Sequence, residues 1–335
     1  MSIPTFSASL DITRKCNLRC RHCFNYSGDS YIHEELSDEF LLSLPEQFRG
    51  LPVESLCLCG GEPLLRYQLI PSLIQKFKKV GIMDVNLTTN GILVTREIAK
   101  ELKNAGVGNV QVSLDGEKDE HNWLRNNDCA YDGAIRAIKY LLEEGINVSV
   151  ACTPTRKNID SIVEEMDRLN LMGVSMFRMQ PIMFLGRAKG ITDYYLSASE
   201  YTVFSMKLAK TIKEKQYGMV VEWGDPTMHL YYLAEGKDSK LVSINTYGEI
   251  LLSPYLPISF GNVKKHTFKE YIDHGLRSIC SESEILRDVF KKFGCVITNQ
   301  NSNTGYPELY KDDMIHVDII DDDIEEKMKL LVVNR

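Results

Sequence analysis

The sequence predicts an α/β fold: a partial (β/α)6 barrel followed by a C-terminal α+β extension. Three observations point there. Short apolar runs rich in β-branched residues alternate with helical periodicity six times between residues 6 and 179. The residues of unusual type all fall at the C-terminal ends of those runs, the rim where parallel sheets bind ligands. After Met179 the alternation stops, and a long helix, a hairpin and short helices follow. The expected division is 1–195 for the barrel and 196–335 for the extension.

Taken in order, residues 6–13 read as a first strand that runs directly into a cysteine-rich loop. Residues 38–48 have helical periodicity, with Ser37 as N-cap and Asp38 and Glu39 in the first turn. Pro45 is expected to kink or shorten that helix. Strand 54–59 ends in Gly60-Gly61-Glu62-Pro63. Helix 67–80, strand 84–88 and the turn Thr89-Asn90-Gly91 come next. Helix 95–104, strand 109–114 ending in Asp115-Gly116, and helix 131–144 stopped by Gly145 continue the series. Strand 147–152, helix 158–172 stopped by Gly173, and strand 174–179 complete it. Right-handed crossovers between such parallel strands would curl the sheet. Beyond it, 199–217 reads as an amphipathic helix and 240–253 as a hairpin turning at Asn245-Thr246-Tyr247-Gly248. Short helices are expected near 268–279 and 284–293. The acidic end, with Asp321-Asp322-Asp323 and Glu325-Glu326, reads as a solvated or frayed tail.

At 44% hydrophobic and 25% charged residues, the 335-residue chain has ordinary globular composition. A net charge of −7 argues against a nucleic-acid partner. No apolar run approaches the roughly 20 residues of a membrane span, and the N-terminus carries no secretory signal pattern. Nine cysteines, an odd number, argue against a disulfide framework. A cytoplasmic, reducing setting is the expectation.

The chemistry concentrates in Cys16, Cys20 and Cys23, spaced C-x3-C-x2-C on the loop after the first strand. Three thiolates this close can hold one soft metal centre. A zinc knuckle with His22 as fourth ligand is one reading, but His22 directly precedes Cys23, and adjacent residues rarely share a tetrahedral ion. A 4Fe-4S cubane is the other. With three protein ligands it leaves one iron open for a ligand from outside the protein.

The ordered motifs resemble the radical S-adenosylmethionine (radical SAM) superfamily over roughly residues 6–190. The cysteine loop matches its cluster signature, and Gly60-Gly61-Glu62-Pro63 its GGE motif. The resemblance implies one 4Fe-4S cluster on Cys16, Cys20 and Cys23, with S-adenosylmethionine chelating the open iron. Gly60, Gly61, Glu62 and Pro63 would receive the methionine ammonium, with Asn90 on the neighbouring rim. Ser113 and Asp115 would meet the ribose, and the backbone near His22 and Phe24 would flank adenine. Arg178 would pair with the methionine carboxylate; the alternative is a barrel-end salt bridge. A one-electron reductant, flavodoxin or ferredoxin, is implied as partner.

Phe177-Arg178-Met179-Gln180-Pro181, Gly186-Arg187-Ala188 and the 246–254 hairpin resemble the SPASM or twitch subgroup, which modifies ribosomally made peptides. Where that hairpin supplies an auxiliary-cluster cysteine, this chain has Ser253, and Cys280 and Cys295 lack the short spacings of a second cluster. Only 15 residues precede Cys16, so recognition of a peptide leader would fall to a separate protein or another surface. A ribosomal peptide is thus the expected substrate, and small-molecule chemistry in antibiotic or cofactor synthesis the rival. Without a second cluster to accept an electron, a redox-neutral outcome is favoured. Cys59, Cys152, Cys280 and Cys295 are the candidate hydrogen donors. For Cys59, which shares a strand face with Cys57, the competing reading is a buried, inert thiol.

Overall fold

A computed structural model describes residues 4–29, 33–224, 227–297 and 310–333. Its elements are β1 Phe6–Thr13, α1 Asp38–Ser43, β2 Val53–Gly60, α2 Ile70–Lys79, β3 Asp84–Thr89, α3 Arg96–Ala105, β4 Asn109–Ser113, α4 Lys118–Arg125, α5 Ala130–Glu143, β5 Asn147–Cys152, α6 Ile162–Met172 and β6 Met176–Met179. Then follow α7 Ala198–Lys215, β7 Val220–Trp223, α8 Met228–Ala234, β8 Leu241–Ile244, β9 Ile250–Leu251, β10 Ile258–Ser259, α9 Phe268–Asp273, α10 Ile279–Glu282, α11 Glu284–Ile297, β11 Ile315–His316 and α12 Ile324–Val333.

Strands β1 to β6 pair in chain order, all parallel, and extend on both sides into a nine-stranded sheet, β7-β6-β5-β4-β3-β2-β1-β8-β9. The helical signals worked where caps stood behind them. Ser37 and Thr95 accept from Phe40 N and Ile98 N at the starts of α1 and α3, and Gly106 and Gly173 close α3 and α6 in the left-handed region. Pro45 ends α1 early, and the chain continues as a 3-10 turn over Leu44–Phe48.

Strand alternation sorts the residues into two faces. Leu10, Leu58, Leu87, Val110, Val112, Val150 and Phe177 are fully buried under the helices. The other parity is polar and aligned in register: Ser9 with Cys57 and Ser243, Asp11 with Cys59, Thr88 with Gln111, Ser113 with Ala151, and Arg178 with both Ala151 and Glu222. This hydrophilic row forms the inner face of the sheet, with the cysteine loop at its C-terminal rim.

Three features depart from the expected pattern. Helix α4 is strongly polar and was not anticipated. Strand β7 adds to the sheet beside β6. Part of the acidic end packs: β11 pairs with β10, and Asp318 accepts from the Tyr271 hydroxyl at 3.0 Å. The apolar core runs without a break from Phe6 to Met328. Strands on both sides of the expected 195/196 boundary therefore share one sheet and one core.

Candidate active site

Cys16, Cys20 and Cys23 face a common pocket of about 210 Å³, bordered also by His22, Phe24, Cys59, Gly60, Gly61, Asn90, Ser113 and Arg125. Among the described residues, the donor atoms of His266, Asp318 and Asp321 all lie within 4.8 Å of one another, and the three cysteine sulfurs do not. A single tetrahedral zinc with bonds of about 2.3 Å would draw its sulfurs to roughly 3.8 Å apart. The donor set, three thiols spread around one cavity, fits a cubane better than a single ion. Burial pushes the Cys16 thiol up to about 12 and raises Cys20 as well. Thiolate formation therefore depends on the metal, which binds the deprotonated form.

The loop is held by groups from distant parts of the chain. Arg187 donates from its backbone to Cys23 O and from Nε to Cys20 O, both at 2.9 Å, while its guanidinium pairs with Asp29 at 2.7 Å. Gly186 must be glycine: its φ is +57°, and a Cβ would lie 2.4 Å from the carbonyl oxygens of Cys23 and Phe24. On the other side α4 holds the loop, with Arg21 N donating to Leu124 O at 2.8 Å.

The Gly-Gly-Glu-Pro turn packs under the loop. Gly61 N donates to Thr13 O at 2.7 Å and Glu62 N to Lys15 O at 2.8 Å. A Cβ on Gly60 would sit 2.3 Å from Thr13 O, and one on Gly61 2.2 Å from Lys15 O. The glycines are required first by the descending cysteine loop. The Glu62 carboxylate is turned inward, accepting from Leu64 N at 3.0 Å, the Thr89 hydroxyl at 2.8 Å and Asn90 N at 2.8 Å. Burial outweighs these donors and raises its carboxyl to about 7. Pro63 opens the 3-10 turn that Glu62 caps, and Asn90 reaches across to Asn17 Oδ1 at 2.8 Å.

Ser113 borders the pocket, but Asp115 is fully buried behind it. Asp115 accepts from Arg125 Nε at 2.7 Å and Thr153 N at 2.9 Å, and its own N–H donates to His121 Nδ1 at 3.0 Å. Burial alone would raise this carboxyl; the Arg125 guanidinium and His121 instead hold it well below the usual carboxylate range. Arg125 also lies 4.0 Å from the Cys20 sulfur. His22 is neutral, held down to about 3 by burial and then by Arg125.

Arg178 stands elsewhere. It is on the inner face, on the far wall, 3.5 Å from Glu222, which is the salt-bridge alternative. Arg125 and Arg187 are the cations that border the cysteine pocket; sequence reasoning missed Arg125. The signal was present as Glu117-x-x-Glu120, a capping box that opens α4 directly after Asp115-Gly116. Phe24 borders the pocket and meets the Tyr255 ring edge-on at 5.1 Å. Ser253 is buried and 2.8 Å from His229 Nε2.

The four candidate thiols separate. Cys59 borders the pocket. Cys152 has the opposite parity to Ala151 and is buried in the core, and Cys280 is fully buried in α10. Cys295 falls in the last turn of α11, outside the residues whose side chains are described.

Residues 10–169 match the radical SAM superfamily, and the chain belongs to that superfamily. Its cofactors are a 4Fe-4S cluster and S-adenosylmethionine. The chain is 32% identical over 190 residues to an Fe-coproporphyrin III synthase of Methanosarcina barkeri, covering 57% of this chain and 47% of that protein. It is 30% identical over 188 residues to the sporulation killing factor maturation protein SkfB of Bacillus subtilis, covering 54% and 44%. The chain thus spans about half the length of the curated relatives it matches. In fold it resembles anSMEcpe with bound AdoMet and a Kp18Cys peptide, with a TM-score of 0.67 at 17% identity over 99% of this chain and 98% of that one. No helix among the described residues is long and apolar enough to cross a membrane.

Proposed function

We propose that this radical SAM enzyme acts on a ribosomally made peptide, with one cluster held by Cys16, Cys20 and Cys23. The bound cofactors supply a 5′-deoxyadenosyl radical after one-electron reduction by a flavodoxin- or ferredoxin-type partner; the protein supplies position and shelter. Gly60 and Gly61 bring backbone close to the methionine ammonium, and Arg125 takes the carboxylate role that the sequence assigned to Arg178. A guanidinium already fixed by Asp115 keeps Nη donors free for a second planar anion. Ser113 and the backbone at His22 and Phe24 line the nucleoside side. Asp115 acts through Arg125 rather than on the ribose.

The observation that carries the substrate class is the charge balance of the inner face. The cations at this face and at its rim each already face a carboxylate: Arg178 with Glu222 on the sheet, and Arg125 with Asp115 and Arg187 with Asp29 beside the cysteine loop. A tetrapyrrole with several carboxylates, or a nucleoside triphosphate, asks for an excess of cations. A peptide backbone asks for hydrogen-bonding groups, which this wall provides. Reconstituted protein should be given short peptides encoded beside its gene, and separately Fe-coproporphyrin III and GTP. A mass change or hydrogen rearrangement in a peptide supports the reading; turnover of the porphyrin or the nucleotide alone replaces it.

A further inference from the structure

We propose that the Cys59 thiol gives a hydrogen atom to a carbon-centred radical formed against the inner face of the sheet. The inference rests on the radical chemistry of the preceding reading but not on the identity of the substrate.

Cys59 is the last side chain of the inner row on β2, one residue before Gly60, and it borders the same pocket as the three cluster cysteines. It lies opposite Asp11 across the β1–β2 ladder. Its sulfur sits 3.6 Å from the Cys57 carbonyl, a weak acceptor arrangement that holds the S–H without ionising it. The Asp11 carboxyl is a second partner, and burial raises that carboxyl to about 6. The Asp11 carboxylate disfavours a second negative charge beside it, and Cys59 is held well above its ordinary range by Cys57, by burial and then by Asp11. A hydrogen atom can only be given by the thiol form. Nucleophiles and metal ligands need the opposite, a thiolate favoured by nearby cations. Of the two cations that border this pocket, Arg125 faces Cys20 and Arg187 pairs with Asp29.

The step balances simply. The S–H bond of Cys59 breaks homolytically, a C–H bond forms on the radical carbon, and a thiyl radical remains on Cys59. One electron from the same low-potential flavodoxin- or ferredoxin-type reductant, with one proton from the Asp11 carboxyl, restores the thiol. The net change in the substrate is redox-neutral. Serine cannot replace the thiol, because its O–H bond is far stronger than the C–H bond to be formed.

The test needs no peptide. Reconstituted protein with S-adenosylmethionine and dithionite, in deuterated water, generates a carbon-centred radical in this pocket, and the Cys59 thiol exchanges to S–D beforehand. The parent protein should give 5′-deoxyadenosine carrying one deuterium. Cys59→Ser should lose most of that label while retaining the cluster absorbance and 5′-deoxyadenosine formation. Cys152→Ala and Cys280→Ala should keep the label. An unlabelled product from the parent, or an undiminished label in Cys59→Ser, overturns the assignment. Absence of 5′-deoxyadenosine from every protein overturns the radical reading itself, and the assignment with it.

Discussion

Arg125 Nε donates to Asp115 Oδ2 at 2.7 Å, and the far side of the same guanidinium lies 4.0 Å from the Cys20 sulfur. One side chain thus links the end of β4 to the cysteine loop. Asp115 is fully buried, and Arg125 is almost so, with 11% of its side chain exposed. Removing either partner strands the other charge.

Arg125→Ala should destabilise the protein by about 3–5 kcal/mol through the unpaired Asp115 carboxylate. Arg125→Lys keeps the charge, loses the forked geometry, and should weaken S-adenosylmethionine binding by roughly tenfold or more, the worth of one charge-assisted hydrogen bond. Chemical denaturation and equilibrium binding measure the two effects separately. Because the folded Asp115 carboxyl is held low, the pair's contribution is full above the unfolded carboxyl range near 3.9 and is lost as the pH falls below it.

Glu62 has the opposite sign. Its carboxyl is raised by burial to about 7, so the folded protein binds that proton more tightly than the unfolded chain does. Its contribution is complete below the unfolded carboxyl range near 4.3 and declines as the pH rises to 7. Thermal unfolding of the apoprotein at pH 5 and pH 7.5 should show this loss, and Glu62→Gln should remove it. The variant should also be less stable at pH 5 by about 1–3 kcal/mol, because an amide nitrogen replaces one acceptor. Equal pH dependence in the two proteins would contradict the buried placement.

Gly61→Ala should abolish cluster assembly, not merely cofactor binding. The added Cβ would stand 2.2 Å from Lys15 O and 2.7 Å from Arg14 O, on the backbone leading into Cys16. Gly190→Ala meets nothing within 4 Å and should assemble normally. The absorbance of the reconstituted cluster reads both.

Iron analysis of reconstituted protein should give about four irons per chain, the content of one cubane. Triple replacement of Cys16, Cys20 and Cys23 by alanine should remove all of it. Ser253 bonded to His229 motivates the prediction; iron surviving in the triple variant would mean a second cluster.

What was legible in the sequence follows local physics. Strands β1 and β5 fall at the expected residues because alternation and flanking turns define them. The cysteine loop and the glycine turn announce themselves by spacing. Helix α4 escaped because Lys118–Arg125 is short and mostly polar; besides its capping box, Leu124 and Trp123 hold it by packing against Ala188, Ile191 and Tyr195, residues distant in sequence. Strand β7 escaped because Val220 and Trp223 lie at a sheet edge, exposed enough to blur the alternation. Arg125 as a pocket-lining cation was missed along with its helix. Sequence order put Arg178 at a strand end, whereas Arg125 reaches the pocket only through the unanticipated helix. Glu62 and Asp115 were found as positions, but their inward turn depends on donors 27 to 38 residues away, Thr89, Asn90 and Thr153.

The central claim is that three cysteines on the loop after β1 hold a cluster that cleaves S-adenosylmethionine. The most direct measurement is anaerobic incubation of reconstituted protein with S-adenosylmethionine and dithionite, quantifying 5′-deoxyadenosine and methionine by mass spectrometry. The account predicts both products in equal amounts from the parent and neither from single Cys16→Ala, Cys20→Ala or Cys23→Ala variants. Intact S-adenosylmethionine with a fully loaded parent, or undiminished cleavage in any of the three variants, would contradict it.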